Sequence, residues 1–169
     1  MSLYILYFSF PVLFLIHDLE ELIGMQKWID INLPDIRTRF PRVVPILENF
    51  STRGMVVAVA EELVLAVTLS LLAYFCKGVW FVSLWWGTFA AYAFHLVVHL
   101  VQCIVLQRRI PCLLTSIVCL PVSIYILYKF VDDLSLLPVS LWGIAALVGL
   151  LLVGANLIFL HRVVLKKFR

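Results

Sequence analysis

Histidine and glutamate residues recur in the apolar stretches of this sequence at spacings that would bring them together. His17, Glu20 and Glu21 stand at i, i+3 and i+4, so on a helix their side chains share one face. His95 and His99 have the i, i+4 spacing of paired helical ligands. Because imidazole nitrogens and carboxylate oxygens bind zinc, iron and other divalent metals, these residues predict a metal site.

An adjacent pair, Glu61 and Glu62, adds carboxylates from another stretch at a similar depth. Apolar stretches of membrane-spanning length follow Arg53 and precede Arg108, so these two basic residues are expected to mark the cytoplasmic boundary of a membrane. Measured from them along a helix, Glu61, Glu62 and His99 all lie about 12 to 14 Å inside the membrane. The polar groups of three segments are therefore expected in one layer, with Glu61 the better placed of the pair to face the interior.

These positions predict a set of ligands and a set of bases. The expected ligands for one or two divalent ions, zinc or iron, are His17, Glu20, Glu61, His95 and His99. Glu21 and Glu62 are the expected general bases in hydrolysis, since a metal ion activates the water that it binds. An iron-dependent oxidation is equally compatible with these ligand types.

The residues lie in a chain that is too apolar for a soluble domain. Of its 169 residues, 64% are hydrophobic and 14% are charged, against roughly half and one quarter in soluble proteins. A spanning helix needs about 20 mostly apolar residues. The sequence therefore predicts one all-α membrane domain, residues 1–169, with five transmembrane helices at residues 3–24, 54–75, 79–106, 110–130 and 137–160.

The distribution of positive charge predicts the orientation. With five spans, eleven of the 13 Lys and Arg residues fall on one side, which the positive-inside rule makes cytoplasmic. The N-terminus is then outside and the C-terminus cytoplasmic, in a bacterial-type plasma membrane. Residues 27–53, with prolines at 34, 41 and 45, are expected to form a cytoplasmic loop at the headgroup level. These charges meet membrane lipids, and nucleic acid is not an expected partner.

Other polar residues receive weaker assignments. Asn156 lies near the polar layer and His161 beside the C-terminal basic cluster, and whether either joins the site stays open. The four cysteines lack CxxC spacing, so they are expected to be packing residues and not metal ligands.

One motif carries a resemblance to a known family. The run His17-Asp18-Leu19-Glu20-Glu21, followed by Lys27-Trp28, then by a glutamate pair and by histidines in the next two helices, resembles the HXXEE family of integral membrane proteins. The resemblance covers most of the chain. The family has no established activity, but its motif suggests that its members are enzymes. The resemblance therefore implies that this chain is an enzyme and that His17, Glu20, Glu21, His95 and His99 take part in its activity.

The sequence therefore predicts a membrane-embedded metalloenzyme, with its site in the cytoplasmic half of the bilayer and a lipid or other hydrophobic small molecule as substrate. Two other classes of protein remain open: an ion or proton-coupled carrier, and a non-catalytic membrane partner or immunity-type protein. A carrier needs a polar route to the outer face, which these helices scarcely offer. The metal, the reaction and the oligomeric state are not specified by the sequence.

Overall fold

The computed structural model describes residues 3–134 and 139–160, and over these residues the chain is helical without strands. His161, which the sequence left open, lies outside the described residues. The all-α prediction is confirmed. The described helices are α1 (Leu3–Arg39), α2 (Val44–Glu48), α3 (Thr52–Cys76), α4 (Val79–Leu106), α5 (Leu113–Leu134) and α6 (Val139–Phe159).

Four of these helices, α3 to α6, are long and apolar enough to cross a bilayer. Many large apolar side chains on them face outward, as lipid-exposed residues do; Phe75 is 72% exposed and Ile104 is 74% exposed. These features indicate a membrane protein. The described part of α1 is not among the four, because ionisable residues interrupt its apolar sequence from His17 to Glu21.

The first helix is longer than the sequence predicted. α1 has 37 residues and continues to Arg39, so residues 27–39 are helical where a loop was expected. Pro34 removes only one backbone hydrogen bond of the helix. What remains of the expected loop is residues 40–51, which include α2; α3 then begins after Ser51, whose hydroxyl accepts from Gly54 N.

Contacts with the connection between α4 and α5 hold the extension of α1 in place. Trp28 Nε1 donates to the carbonyl oxygen of Arg109 at 2.7 Å. Arg108 donates to Asn32 at 3.0 Å and pairs with Asp35 at 3.1 Å. These contacts between residues far apart in sequence compensate for the proline, so the helix continues.

Aromatic side chains fill one half of the bundle between α1, α4 and α5. Phe10 stacks on Phe89 with ring centroids 5.0 Å apart, and Trp85 lies 4.7 Å from Phe130. Tyr7 packs edge-on against both Trp85 and Phe130. All five residues are buried. The histidines of α1 and α4 follow this cluster in sequence, about two turns further along their helices.

α4 and α6 approach each other most closely at two glycines. A Cβ built on Gly87 would lie 2.0 Å from the carbonyl oxygen of Ala145, and one on Gly149 would lie 2.1 Å from the backbone of Gly87. Small residues let membrane helices bring their backbones into contact. α4 also packs against α3 and α5, so it is the helix around which the others assemble.

Candidate metal centre

Four potential metal ligands converge between α1, α4 and the start of α5. One donor atom each from His17, Glu21, His99 and Cys112 lies within 4.8 Å of the others. Zinc bonds of about 2.0 to 2.3 Å in a tetrahedron place neighbouring donor atoms roughly 3.3 to 3.8 Å apart. Small side-chain adjustments would therefore bring these nitrogen, oxygen and sulfur atoms to bonding distance from one ion.

The four donors are shielded from the surroundings of the protein. His17 and Cys112 are 0% exposed and His99 is 4% exposed, while Glu21 is half-buried. Burial of two imidazoles, a thiol and a carboxyl at one place is costly unless these groups bond to one another or to a cation.

One ring nitrogen of His17 is in hydrogen-bond contact with Thr115, and the other has no partner among the described residues. Its Nδ1 lies 3.0 Å from Thr115 Oγ1. Its Nε2 is buried and has no hydrogen-bond partner among the described residues. Metal-binding histidines are arranged in this way, since one ring nitrogen binds the ion while a hydrogen bond fixes the other.

Thr115, which is bound to Glu20, determines the tautomer of His17. Glu20 Oε2 accepts from Thr115 N at 2.8 Å and from Thr115 Oγ1 at 2.6 Å. The hydroxyl has a single proton, which goes to Glu20, or to the carbonyl oxygen of Cys112 at 3.2 Å. In either case Oγ1 accepts from His17 Nδ1–H, and Nε2 is left with a lone pair. Glu20, a predicted ligand, is thus placed behind the cluster.

His99 has the same tautomer for a similar reason. Its Nδ1 lies 3.0 Å from Gln102 Oε1, an acceptor, so Nδ1 carries the proton and Nε2 carries the lone pair. Nε2 lies 3.7 Å from Glu21 Oε2 and 2.8 Å from His95 Nε2. His95, also a predicted ligand, therefore lies directly beside the four-donor cluster.

The two glutamates of α3 have different neighbours. Glu61 Oε2 accepts from Asn156 Nδ2 of α6 at 3.1 Å. Glu62 Oε1 is buried without a hydrogen-bond partner among the described residues, and its carboxylate interacts electrostatically with those of Asp18 and Glu21. The sequence favoured Glu61 for the interior, whereas the structure places Glu62 beside the carboxylates of α1.

Sequence reasoning did not identify Cys112 or Asp18 as part of this region. Asp18 is 6% exposed, and its Oδ2 has no partner among the described residues. Cys112 precedes α5 in a left-handed conformation, φ 74°. Counting residues inward from the basic markers gives a wrong depth for such a residue, because the chain turns back there.

A glycine allows the turn before α5 to reach α1. A Cβ on Gly24 would lie 2.8 Å from the Cβ of Pro111, so the proline ring packs directly against the backbone of α1. Gly24 follows Glu21 by three residues and therefore lies on the same side of the helix. The close contact places Cys112, the residue after Pro111, next to Glu21. The pairing of glycine with proline is the only sequence signal for Cys112 that we recognise.

Comparison with known proteins gives one result. The family model described as "Protein of unknown function with HXXEE motif" matches residues 8–126. This range contains all four members of the donor cluster, and also Thr115. No curated protein sequence and no solved structure matches the chain.

Proposed function

The chain belongs to the HXXEE family, whose function is unknown, and we propose that it is a membrane-embedded metalloenzyme. One divalent ion, zinc or iron, would be bound by His17, Glu21, His99 and Cys112. The observation that carries the proposal is His17: its Nε2 is buried and has no partner among the described residues, and the residue is a member of the donor cluster. A second ion is not needed to account for these four donors.

The remaining polar residues would have supporting and catalytic roles. The ion would polarise an oxygen atom of the substrate. Glu62, with a buried oxygen that lacks a partner in the described part of the chain, would accept the proton of the attacking water in a hydrolysis. Glu20 would hold Thr115 and through it His17. His95 Nε2 lies 2.8 Å from His99 Nε2, whose single lone pair would go to the ion, so His95 would release His99 when the ion binds.

The fold supports α1 as a fifth span, with the N-terminus outside and the C-terminus in the cytoplasm. Its outward face stays apolar beyond the polar residues: Ile16 is 48%, Leu19 is 44% and Ile23 is 79% exposed, whereas His17 is buried. A helix over residues 3–23 measures about 31 Å, against roughly 30 Å for the hydrocarbon core. The centre would then lie in the cytoplasmic half of a bacterial-type plasma membrane.

The aromatic cluster around Trp85 favours an enzyme over a carrier. Its buried rings occupy the half of the bundle on the N-terminal side of His17. A carrier needs a polar pathway through this half, and a site reached from the cytoplasmic leaflet does not. This arrangement supports a lipid or other hydrophobic small molecule as the substrate.

The test is elemental analysis of the purified full-length protein and of matched cysteine variants. We expect about one zinc or iron ion per chain in the unchanged protein and in Cys119→Ala. Cys119 is buried on α5 but lies outside the donor cluster. Cys112→Ala and His99→Ala should lose the ion. After loading with cobalt, a thiolate-to-metal charge-transfer band should be present in Cys119→Ala and absent in Cys112→Ala.

Two outcomes of this elemental analysis would contradict the proposal. If the unchanged protein binds no divalent ion after loading, or if Cys112→Ala and His99→Ala retain the ion fully, the metal centre does not exist. A carrier or a non-catalytic membrane partner would then be the better account.

A further inference from the structure

We infer that the substrate of this enzyme is a phosphate-bearing lipid whose phosphate binds Arg53, in a cavity between α1 and the connection from α2 to α3. That the lipid is a substrate rests on the proposed function, whereas the binding of the lipid is inferred from the cavity alone.

The cavity has a volume of about 560 Å³. Gln26 of α1 lines it on one side, and Asn49, Phe50, Thr52 and Arg53 line it on the other. This volume accommodates a lipid headgroup, since ligand pockets of drug-sized molecules measure about 300 to 1,000 Å³. The lining is polar except for Phe50, an aromatic residue of the kind found where headgroups meet acyl chains.

Among the described residues that line the cavity, Arg53 is the basic one. Glu48, which also lines it, is paired with Arg37 at 2.5 Å. Arg53 has no ion pair or side-chain hydrogen bond with any residue of the described ranges, and its side chain is exposed. A guanidinium group binds phosphate through two parallel hydrogen bonds, which an ammonium group does not reproduce. The chemistry that fits is therefore an anionic phosphate group.

The cavity lies on the cytoplasmic side of the candidate centre, along the contact between α1 and α3. Gln26 follows Glu21 by five residues, about 8 Å of helix, and Arg53 precedes Glu62 by nine residues, about 14 Å. The headgroup region of one leaflet is roughly 5 to 8 Å thick. A phosphate held by Arg53 would therefore place the linkage to the acyl chains between the cavity and the candidate centre, and the acyl chains would extend past Glu62.

The experiment measures lipid retention by the full-length protein with native mass spectrometry. The probes are phosphatidylglycerol, phosphatidylcholine and a fatty acid, which is anionic but has no phosphate. We expect both phospholipids to be retained and the fatty acid to be lost. Arg53→Gln should weaken phospholipid binding about tenfold, the effect of losing a charge-assisted hydrogen bond. Arg53→Lys should restore part of it.

Arg42→Gln is the matched control, because Arg42 is an exposed arginine outside the cavity. It should bind phospholipid as the unchanged protein does. Equal binding by Arg53→Gln and Arg42→Gln would overturn the inference. So would displacement of the lipid by an equal concentration of inorganic phosphate, since the site would then serve free phosphate.

Metal analysis of the same samples separates the two proposals. If phospholipid binding depends on Arg53 but the protein binds no metal, the proposed enzyme fails and the lipid site stands. If the metal is bound but phospholipid binding does not depend on Arg53, the lipid site fails and the metal centre stands.

Discussion

A single hydroxyl proton decides which nitrogen of His17 is available. Thr115 receives a hydrogen bond from His17 and donates its own proton to an acceptor, either Glu20 or the carbonyl of Cys112. In many metal sites a carboxylate holds the histidine directly. Here Thr115 lies between the two residues, so Glu20 contacts His17 only through the threonine hydroxyl. Glu20 also accepts a hydrogen bond from the backbone N–H of Thr115 in the first turn of α5.

Thr115→Val tests this relay. The substitution keeps the shape of the side chain but removes the partner of His17 Nδ1. We expect metal affinity to fall about 10- to 100-fold, as happens when a residue that orients a ligand is removed. Competition with a chelator measures the affinity. Thr68→Val is the control, because that hydroxyl donates only to the carbonyl of Val64 on an exposed face. Equal affinities in the two variants would exclude the relay.

The sequence was informative about the site where a regular helix alone fixed the geometry. The spacing of His17 and Glu21, and the depth of His99, predicted three residues that the structure brings together. The spacing did not predict which of Glu61 and Glu62 faces the interior, because that depends on how α3 is rotated against its neighbours. Cys112 could not be found by the same counting, since a left-handed turn precedes α5.

Among the elements, α4 agrees with the sequence and α1 does not. α4 spans Val79–Leu106, the range that was predicted, because glycine precedes it and its sequence contains no Asp, Glu, Lys or Arg. α1 continues past Pro34 owing to contacts with Arg108 and Arg109, some 75 residues further along the chain. Local rules for helix ends do not include such contacts, so they predicted a loop.

The contact between α4 and α6 predicts unequal effects of two glycine substitutions in one helix. Gly149→Ala would place a Cβ 2.1 Å from the backbone of Gly87, whereas a Cβ on Gly154 meets nothing within 4 Å. Overpacking of this kind costs about 1 to 3 kcal/mol. We expect Gly149→Ala to lower the melting temperature in detergent by several degrees. Gly154→Ala should leave it unchanged or slightly raised. Equal melting temperatures would mean that the two helices do not touch at Gly149.

For the whole molecule, the proposed five-span topology puts the two ends of α3 on opposite sides of the membrane. Cys76, the last residue of α3, is exposed, whereas Cys112 and Cys119 are buried. In intact cells we expect a membrane-impermeant maleimide to label the protein at Cys76 from outside. Cys76→Ser should abolish that labelling.

The opposite end of α3 provides the complementary measurement. Asn49 is exposed in the connection between α2 and α3. In the Cys76→Ser background, Asn49→Cys should react with the same reagent only after the cells are opened. Labelling of Asn49→Cys in intact cells would reverse the orientation.

α1 presents different chemistry on its two sides, and this affects the order in which the protein is built. Its outward face suits lipid, but His17, Asp18, Glu20 and Glu21 suit only the interior formed by later helices. Alone in a bilayer, each charged side chain would cost about 2.5 to 3.5 kcal/mol. During synthesis α1 emerges before α3, α4 and α5, the helices that satisfy it. Although α1 precedes these helices in the chain, it would therefore become stably inserted only after them, and biogenesis would depend on its retention at the membrane surface or by an insertase until α5 is complete.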